Sequence, residues 1–394
     1  MKKLFNLENF IYISIVSIPL YLVKFSFLSL PTNVFEIMAI IGIIWFVIAR
    51  QGSEIELSGY KKYFIPIVML VAGLVASALA GEVYAIGFGI IKSWFIIPLL
   101  FSFVGAEVLR TNKNKNIFTA IYASAFLVSV IVGVYFFLEK LTYDGRLQAI
   151  YNSPNFLAMF LVPAAIIGVL KFAENRRYYI FSLAIILFSL YFTFSYAAWL
   201  SILMTMMAVF FLRNKTRKNY NKSWLIALIV LSFIFLQSGT SKMRDLVQMS
   251  ERSSLNSRMM IWKAAGKIIA DNPVLGIGAG NFQNKYLEYQ KYFPPYLEWA
   301  VPEPHNLFLA LWLQAGLLGL IGFVWLLILL GKEVWRRKKE GSVEMIIGSS
   351  IIFSMLVHGL FDTTYFKNDL AVIFWLSFFS VIKKRSKNGL EKRS

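Results

Sequence analysis

The chain predicts an all-α, polytopic membrane protein of about twelve transmembrane helices, with one large extracytoplasmic loop between the ninth and tenth. Three observations carry that class. Hydrophobic residues make up 58% of the sequence and charged residues 15%, a balance foreign to ordinary soluble domains. Apolar runs of bilayer-crossing length, about 20 residues, recur from end to end. The net charge of +19 gathers in alternate loops.

In order, the spans fall near 10–30, 33–49, 63–81, 83–109, 117–138, 154–170, 178–193, 195–212, 223–237, 305–330, 343–361 and 370–382. Basic residues mark every second boundary. Lys2 and Lys3 precede the first span, Lys61 and Lys62 the third, and Arg110, Lys113 and Lys115 the fifth. Arg176 and Arg177 precede the seventh, and Arg213, Lys215, Arg217 and Lys218 follow the eighth. Arg336 to Lys339 lie between the tenth and eleventh, and the tail from Lys383 is basic again. The intervening loops carry little or balanced charge. Positive loops stay in the cytoplasm, so both termini are expected there.

A charge excess used this way needs no nucleic-acid partner. Without cysteine there is no disulfide framework and no thiolate chemistry. The first apolar run is too long for a cleavable signal peptide and lacks a small-residue cleavage site. With no internal repeat or low-complexity linker, residues 1–394 read as a single membrane domain, and 238–304 as an extracytoplasmic loop or lid within it.

The chemistry concentrates in that loop and the span after it. Asn256 or Ser257 can cap a helix that ends before Pro273. Along it, Arg258, Trp262, Ala265 and Ile269 share one face, while Lys263 and Lys267 occupy another, as suits an interfacial helix. Arg258 either snorkels or pairs structurally, or its guanidinium fork binds a phosphate. Gly276, Gly278 and Gly280 lack the preceding strand of a dinucleotide fingerprint and read as a tight turn against a partner surface. Tyr286, Tyr289, Tyr292, Phe293, Tyr296 and Trp299 suit interfacial packing, or stacking on sugar faces.

His305 follows Pro302, Glu303 and Pro304, which restrict the backbone just before a span begins. It can take a proton near neutral pH, with Asn306 beside it and Gly316 and Gly319 behind. Alternatively it is a cap. The other histidine, His358, lies four residues before Asp362, which could orient or satisfy it. Lys24, Lys92 and Glu36 are charges inside apolar spans, where charge is costly. Lys92 with Glu36 is either a structural pair or part of a cationic pocket. No metal-ligand spacing is present.

His305-Asn306 followed by Gly316-Leu317-Leu318-Gly319 resembles the signature of the bacterial O-antigen ligase and O-antigen polymerase superfamily. Arg258, Trp262, Asp271-Asn272-Pro273, Gly276-Ile277-Gly278 and Asn281-Phe282 are similar to that family's preceding loop. Arg146 with Asn152-Ser153-Pro154-Asn155, and His358-Gly359-Leu360-Phe361-Asp362, resemble two further motifs. The resemblance covers the second half and reaches back to about residue 146; the first four spans match in topology only. It implies a metal-independent, inverting glycosyltransferase without cofactor, multi-pass in the bacterial inner membrane, its active site facing the periplasm. Such an enzyme serves lipopolysaccharide and surface polysaccharide biosynthesis. Its donor would be a glycan on undecaprenyl pyrophosphate, its acceptor a glycan or lipid A-core, with membrane lipids and a chain-length regulator protein as further partners. Carried over, Arg258 holds the pyrophosphate and His305 acts on the acceptor hydroxyl or leaving group. Asn306, His358, Asp362 and Trp262 support them. Many members have an arginine directly after the serine that begins the eighth span; here Tyr196 follows Ser195, leaving Arg146 or Lys92 to compensate. A polymerase of the same superfamily, or a lipid-linked glycan transporter without chemistry, are the alternatives.

Topology is directly testable. Reporter fusions are expected to place Ala265 outside and Ile55, Glu174, Thr216 and Lys338 inside. A cytoplasmic signal at Ala265 would remove the argument for His305.

Overall fold

The structure is a computed structural model describing residues 6–27, 30–50, 57–109, 116–172, 176–212, 253–294, 298–340 and 342–382. The helices are α1 (Leu7–Val16), α2 (Val34–Ala49), α3 (Lys61–Ala80), α4 (Tyr84–Val108), α5 (Ile117–Phe137), α6 (Pro154–Lys171) and α7 (Arg176–Tyr191). They continue with α8 (Tyr196–Leu212), α9 (Ser254–Asp271), α10 (Phe282–Tyr289), α11 (Leu307–Arg337), α12 (Val343–His358) and α13 (Asn368–Ile382). Among the described residues, five stretches are long and apolar enough to cross a membrane: Ser58–Ala80, Tyr84–Val108, Ile117–Phe137, Pro154–Lys171 and Leu307–Glu340. Other apolar helices, α1, α2, α7, α8, α12 and α13, are shorter. The expected span at 223–237 lies outside the described residues.

Helix starts follow local chemistry. Asn33 caps α2 through the Glu36 amide, Asn116 and Thr119 form a reciprocal capping box on α5, and Ser153 caps α6 ahead of Pro154. α6 and α13 are buried along most of their length and make the centre of the bundle. Outer helices expose apolar side chains such as Val47, Ile48, Phe64, Ile65 and Phe181, which suit contact with acyl chains.

The first span departs from expectation. Its helix stops at Val16, and a 3-10 turn (Ile18–Leu22) leads into an antiparallel hairpin, β1 (Lys24–Phe27) and β2 (Leu30–Asn33), with Lys24 opposite Asn33. Pro19 and Pro31 each lack an amide donor and disfavour continuous helix. Lys24 is therefore an exposed hairpin residue and not part of a helix. α4 contains a wider π turn at Ile91–Ile96, just before Pro98.

α3 and α11 cross in direct backbone contact. A Cβ on Gly73 would lie 2.4 Å from the Gly319 amide nitrogen and 2.5 Å from the Ala315 carbonyl. Small residues permit this approach, as in membrane helix pairs generally. α11 is also broken at Gly316, whose φ of 64° and ψ of −175° are non-helical. The break frees polar backbone groups, and the loop after α9 satisfies them. Leu317 N–H donates to Val274 O at 2.9 Å, and Ile277 N–H donates to Leu313 O at 2.7 Å. Trp312 Nε1 adds a bond to Pro273 O at 2.8 Å. The glycines of the His305-to-Gly319 signature thus shape and pack α11.

Gly316→Ala should lower the Tm of detergent-purified protein by several degrees, because forcing a side chain into this backbone region costs about 1–3 kcal/mol. A Cβ there would also stand 2.5 Å from Val274 O. Gly331→Ala, whose Cβ meets nothing within 4 Å, is expected to leave Tm unchanged. Equal Tm values for the two variants would contradict this account of the break.

Candidate active site

The site forms where the start of α11 meets the end of α12. Asn306 caps α11 by accepting from the Phe308 and Leu309 amides at 3.0 and 3.1 Å. Its Nδ2 donates to Leu360 O at 3.0 Å, and Leu307 N–H donates to Gly359 O at 2.7 Å. These bonds hold residue 305 against residues 359–362. α9 closes a third side. Its N-cap is Ser253, which accepts from Asn256 N–H, so Asn256 and Ser257 are not the cap and lie inside the helix.

His305 adopts a φ of 48°, uncommon for a residue with a side chain. Its carbonyl accepts from Trp262 Nε1 at 3.2 Å, and its ring Nδ1 lies 3.0 Å from Asp362 Oδ1. With Asp362 ionised, Nδ1–H is the donor, and Nε2 of the neutral ring keeps a free lone pair. The His305 side chain is 30% exposed, whereas Asp362 is buried. Asp362 Oδ1 also accepts from Thr363 N–H at 3.1 Å, and Oδ2 faces Arg258 Nη2 at 3.8 Å. Arg258 is aimed by its own bonds, Nε to Phe361 O at 2.8 Å and Nη1 to Ser254 O at 3.4 Å.

Arg146 joins the same electrostatic neighbourhood from the loop before α6, interacting with both Arg258 and Asp362. Its Nε donates to Thr193 O at 2.7 Å and its Nη2 to Asn155 Oδ1 at 2.6 Å, with Asp144 at 3.7 Å. Burial lowers its pKa, though Asp144 opposes the effect. For His305, burial disfavours the charged ring, yet the Asp362 charge and hydrogen bond outweigh it and the pKa rises. For Asp362, burial works upward, but His305 and Arg258 hold it well below the ordinary carboxylate range.

Arg258, Trp262, His305, Asn306, His358, Asp362 and Arg146 thus converge, while Lys92 does not join them. Lys92 Nζ donates to Glu36 Oε2 at 2.8 Å and Pro31 O at 2.7 Å, and Asn368 Nδ2 bonds the other Glu36 oxygen at 3.0 Å. Of the two readings of Lys92, the ion pair is the arrangement seen. Asp362 serves His305 rather than His358, whose buried Nε2 has no hydrogen-bond partner among the described residues. Tyr286 is buried and donates to Glu298 O, Tyr292 and Trp299 are exposed, and Tyr296 lies outside the described residues. Sequence reasoning overlooked Glu303 and Thr363. The available signal was an acid enclosed by two prolines immediately before His305.

Fold and site define a polytopic, all-α membrane protein with a His–Asp pair and two arginines at one end of its helices. The family model for O-antigen ligases matches residues 181–324, a stretch that includes Arg258 and His305. Over that stretch the chain is similar to O-antigen ligases, which supports the resemblance to the O-antigen ligase/polymerase superfamily of glycosyltransferase-type membrane enzymes. No curated protein matches the chain.

The paired shifts have a pH signature. A raised His305 pKa contributes stability that is complete below the ordinary histidine value and lost as pH rises through the folded one. A depressed Asp362 pKa contributes stability above the ordinary carboxylate value and loses it in acid. The Tm deficit of Asp362→Asn should therefore be larger near pH 5.5 than near pH 8.5, since both contributions are present between about pH 4 and 6.5. A deficit independent of pH would mean that the pair is not coupled as described.

Proposed function

We propose that this protein transfers a glycan from undecaprenyl pyrophosphate to an acceptor hydroxyl at the outer face of the inner membrane, in the manner of an O-antigen ligase. The observation that carries the reading is the His305–Asp362 pair at 3.0 Å with Arg258 on the far side of the carboxylate. The reaction needs a base beside the acceptor and fixed cations beside a departing pyrophosphate. His305 Nε2 takes the hydroxyl proton while the acceptor oxygen bonds to the anomeric carbon. The bond from that carbon to the pyrophosphate oxygen breaks, and the lipid pyrophosphate leaves with the electron pair. In-line attack inverts the anomeric centre.

Arg258 offers a planar fork suited to phosphate oxygens, and Arg146 supplies a second cation nearby. In a poorly hydrated cleft, fixed cations stabilise the charge gathering on the leaving group more than water would. Arg146 then stands in for the arginine that family members carry at the position of Tyr196. Lys92 is left out, since Glu36 neutralises it. Asp362 keeps the His305 proton on Nδ1 and stabilises the imidazolium that forms.

Purified protein supplied with lipid-linked glycan and lipid A-core tests this reading. Glycan joined to lipid A-core is the expected product. Elongated glycan still on the carrier would instead indicate the polymerase activity of the superfamily. Donor movement across the bilayer with no new glycosidic bond would overturn the reading in favour of a transporter. His305→Ala is expected to cut turnover by roughly two orders of magnitude with donor binding spared. Arg258→Ala should weaken donor binding as well as rate, and Arg258→Lys should fail to restore either.

A further inference from the structure

Glu303 is a buried acid at the site to which the transfer chemistry above gives no part. It lies two residues before His305, held between Pro302 and Pro304, and is only 8% exposed. Its Oε2 accepts a hydrogen bond from Thr363 Oγ1, and Thr363 N–H in turn donates to Asp362 Oδ1 at 3.1 Å. Asp362 Oδ1 then meets His305 Nδ1 at 3.0 Å. A closed ring results: the chain links 303 to 305 covalently, and hydrogen bonds return from 305 through 362 and 363 to 303.

The charged groups facing Glu303 are Asp362 at the end of α12, His305 on its own segment, and Lys367 just ahead of α13. Those facing His305 are Asp362, Arg258 from α9 and Glu303 itself. Arg146 reaches Arg258 and Asp362 from the loop before α6. No direct ion pair to Glu303 occurs among the described residues, and a buried carboxyl without one is costly. Glutamine would keep the bond to Thr363 at lower desolvation cost. The acid offers one thing the amide lacks, a charge that can answer the charge on His305.

Building on the glycosyl-transfer reading, we propose that Glu303 is a positioning residue: tied through Thr363 to Asp362, it backs His305 with a second carboxyl group that offsets the positive charge His305 acquires with the acceptor's proton. Burial supports the role by pushing the Glu303 carboxyl up to about 7, so its charge changes in the range where that of His305 does. Lys367 opposes the rise and keeps the anion within reach of neutral pH.

The test reads His305 without donor or acceptor. Diethyl pyrocarbonate attacks the neutral imidazole, so carbethoxylation of the full-length, detergent-purified protein, followed by peptide mass spectrometry across pH, gives the apparent midpoint of His305. Buried His358 reports separately on the same sample. Glu303→Gln is expected to move the His305 midpoint down by about one pH unit. Thr363→Val, which removes the donor that favours the Glu303 anion, should move it the same way by less, and Glu303→Asp should stay nearer to wild type. The acidic limb of kcat/KM should follow the same order, with donor KM unchanged. An unchanged midpoint in Glu303→Gln overturns the proposal. Should that variant not elute as folded protein, an unchanged midpoint in Thr363→Val does so. Wild-type protein that forms no glycosidic bond overturns the transfer reading instead, and the coupling of Glu303 to His305 then stands or falls on the midpoint alone.

Discussion

The break in α11 at Gly316 is the constraint on which the rest of the structure depends. Backbone groups freed inside a membrane helix must be satisfied by protein, because the hydrocarbon core supplies no partner. Here the loop after α9 does so through Leu317 N–H to Val274 O and Ile277 N–H to Leu313 O. That repair fixes where α9 ends, and so where Arg258 and Trp262 stand relative to His305, which lies just ahead of α11. The close crossing of α3 at Gly73 and Gly319 anchors the far side of the break. One unusual residue thereby couples the packing of the bundle to the geometry of the site.

A second consequence is electrostatic. His305 lies just ahead of α11 and Glu333, Arg336 and Arg337 near its end, so the site and the basic cluster occupy opposite ends of one helix. At the far end, Lys62 and Arg336 bond Glu333 and Arg337 bonds Glu340, a structural network. At the site, Arg258 lies 3.8 Å from Asp362, and Arg146 lies 3.7 Å from Asp144 within reach of the same Asp362 charge. Charges in a partly buried cleft are costly unless they are paired, and each arginine here has an acidic partner.

Hydrophobic periodicity and loop charge made the class legible without coordinates. Apolar runs must be helical in a bilayer, so length and composition alone predicted most helices, from α2 through α8 and from α11 to α13. The first span was misjudged because apolar content masks a helix stop: Pro19 and Pro31 decided that stretch, and Lys24 went with it into a hairpin. The site was legible as a set of motifs but not as a set of contacts. Asp362 reads as a partner of His358 at helical spacing, yet it bonds His305 across 57 residues.

By itself, then, the sequence determined the elements and their chemical repertoire: membrane helices, an inserted polar loop, two histidines and a few isolated arginines. Local rules suffice for these, since helix formation, capping and loop charge act over a few residues. Only the tertiary structure decided which polar groups meet. It assigned Lys92 to Glu36, Arg146 to the neighbourhood of Arg258, and Glu303 to Thr363. The physical reason is that a buried charge is stabilised by partners within a few ångströms, and those partners come from helices distant in sequence. Where α11 breaks, and what repairs it, selects them.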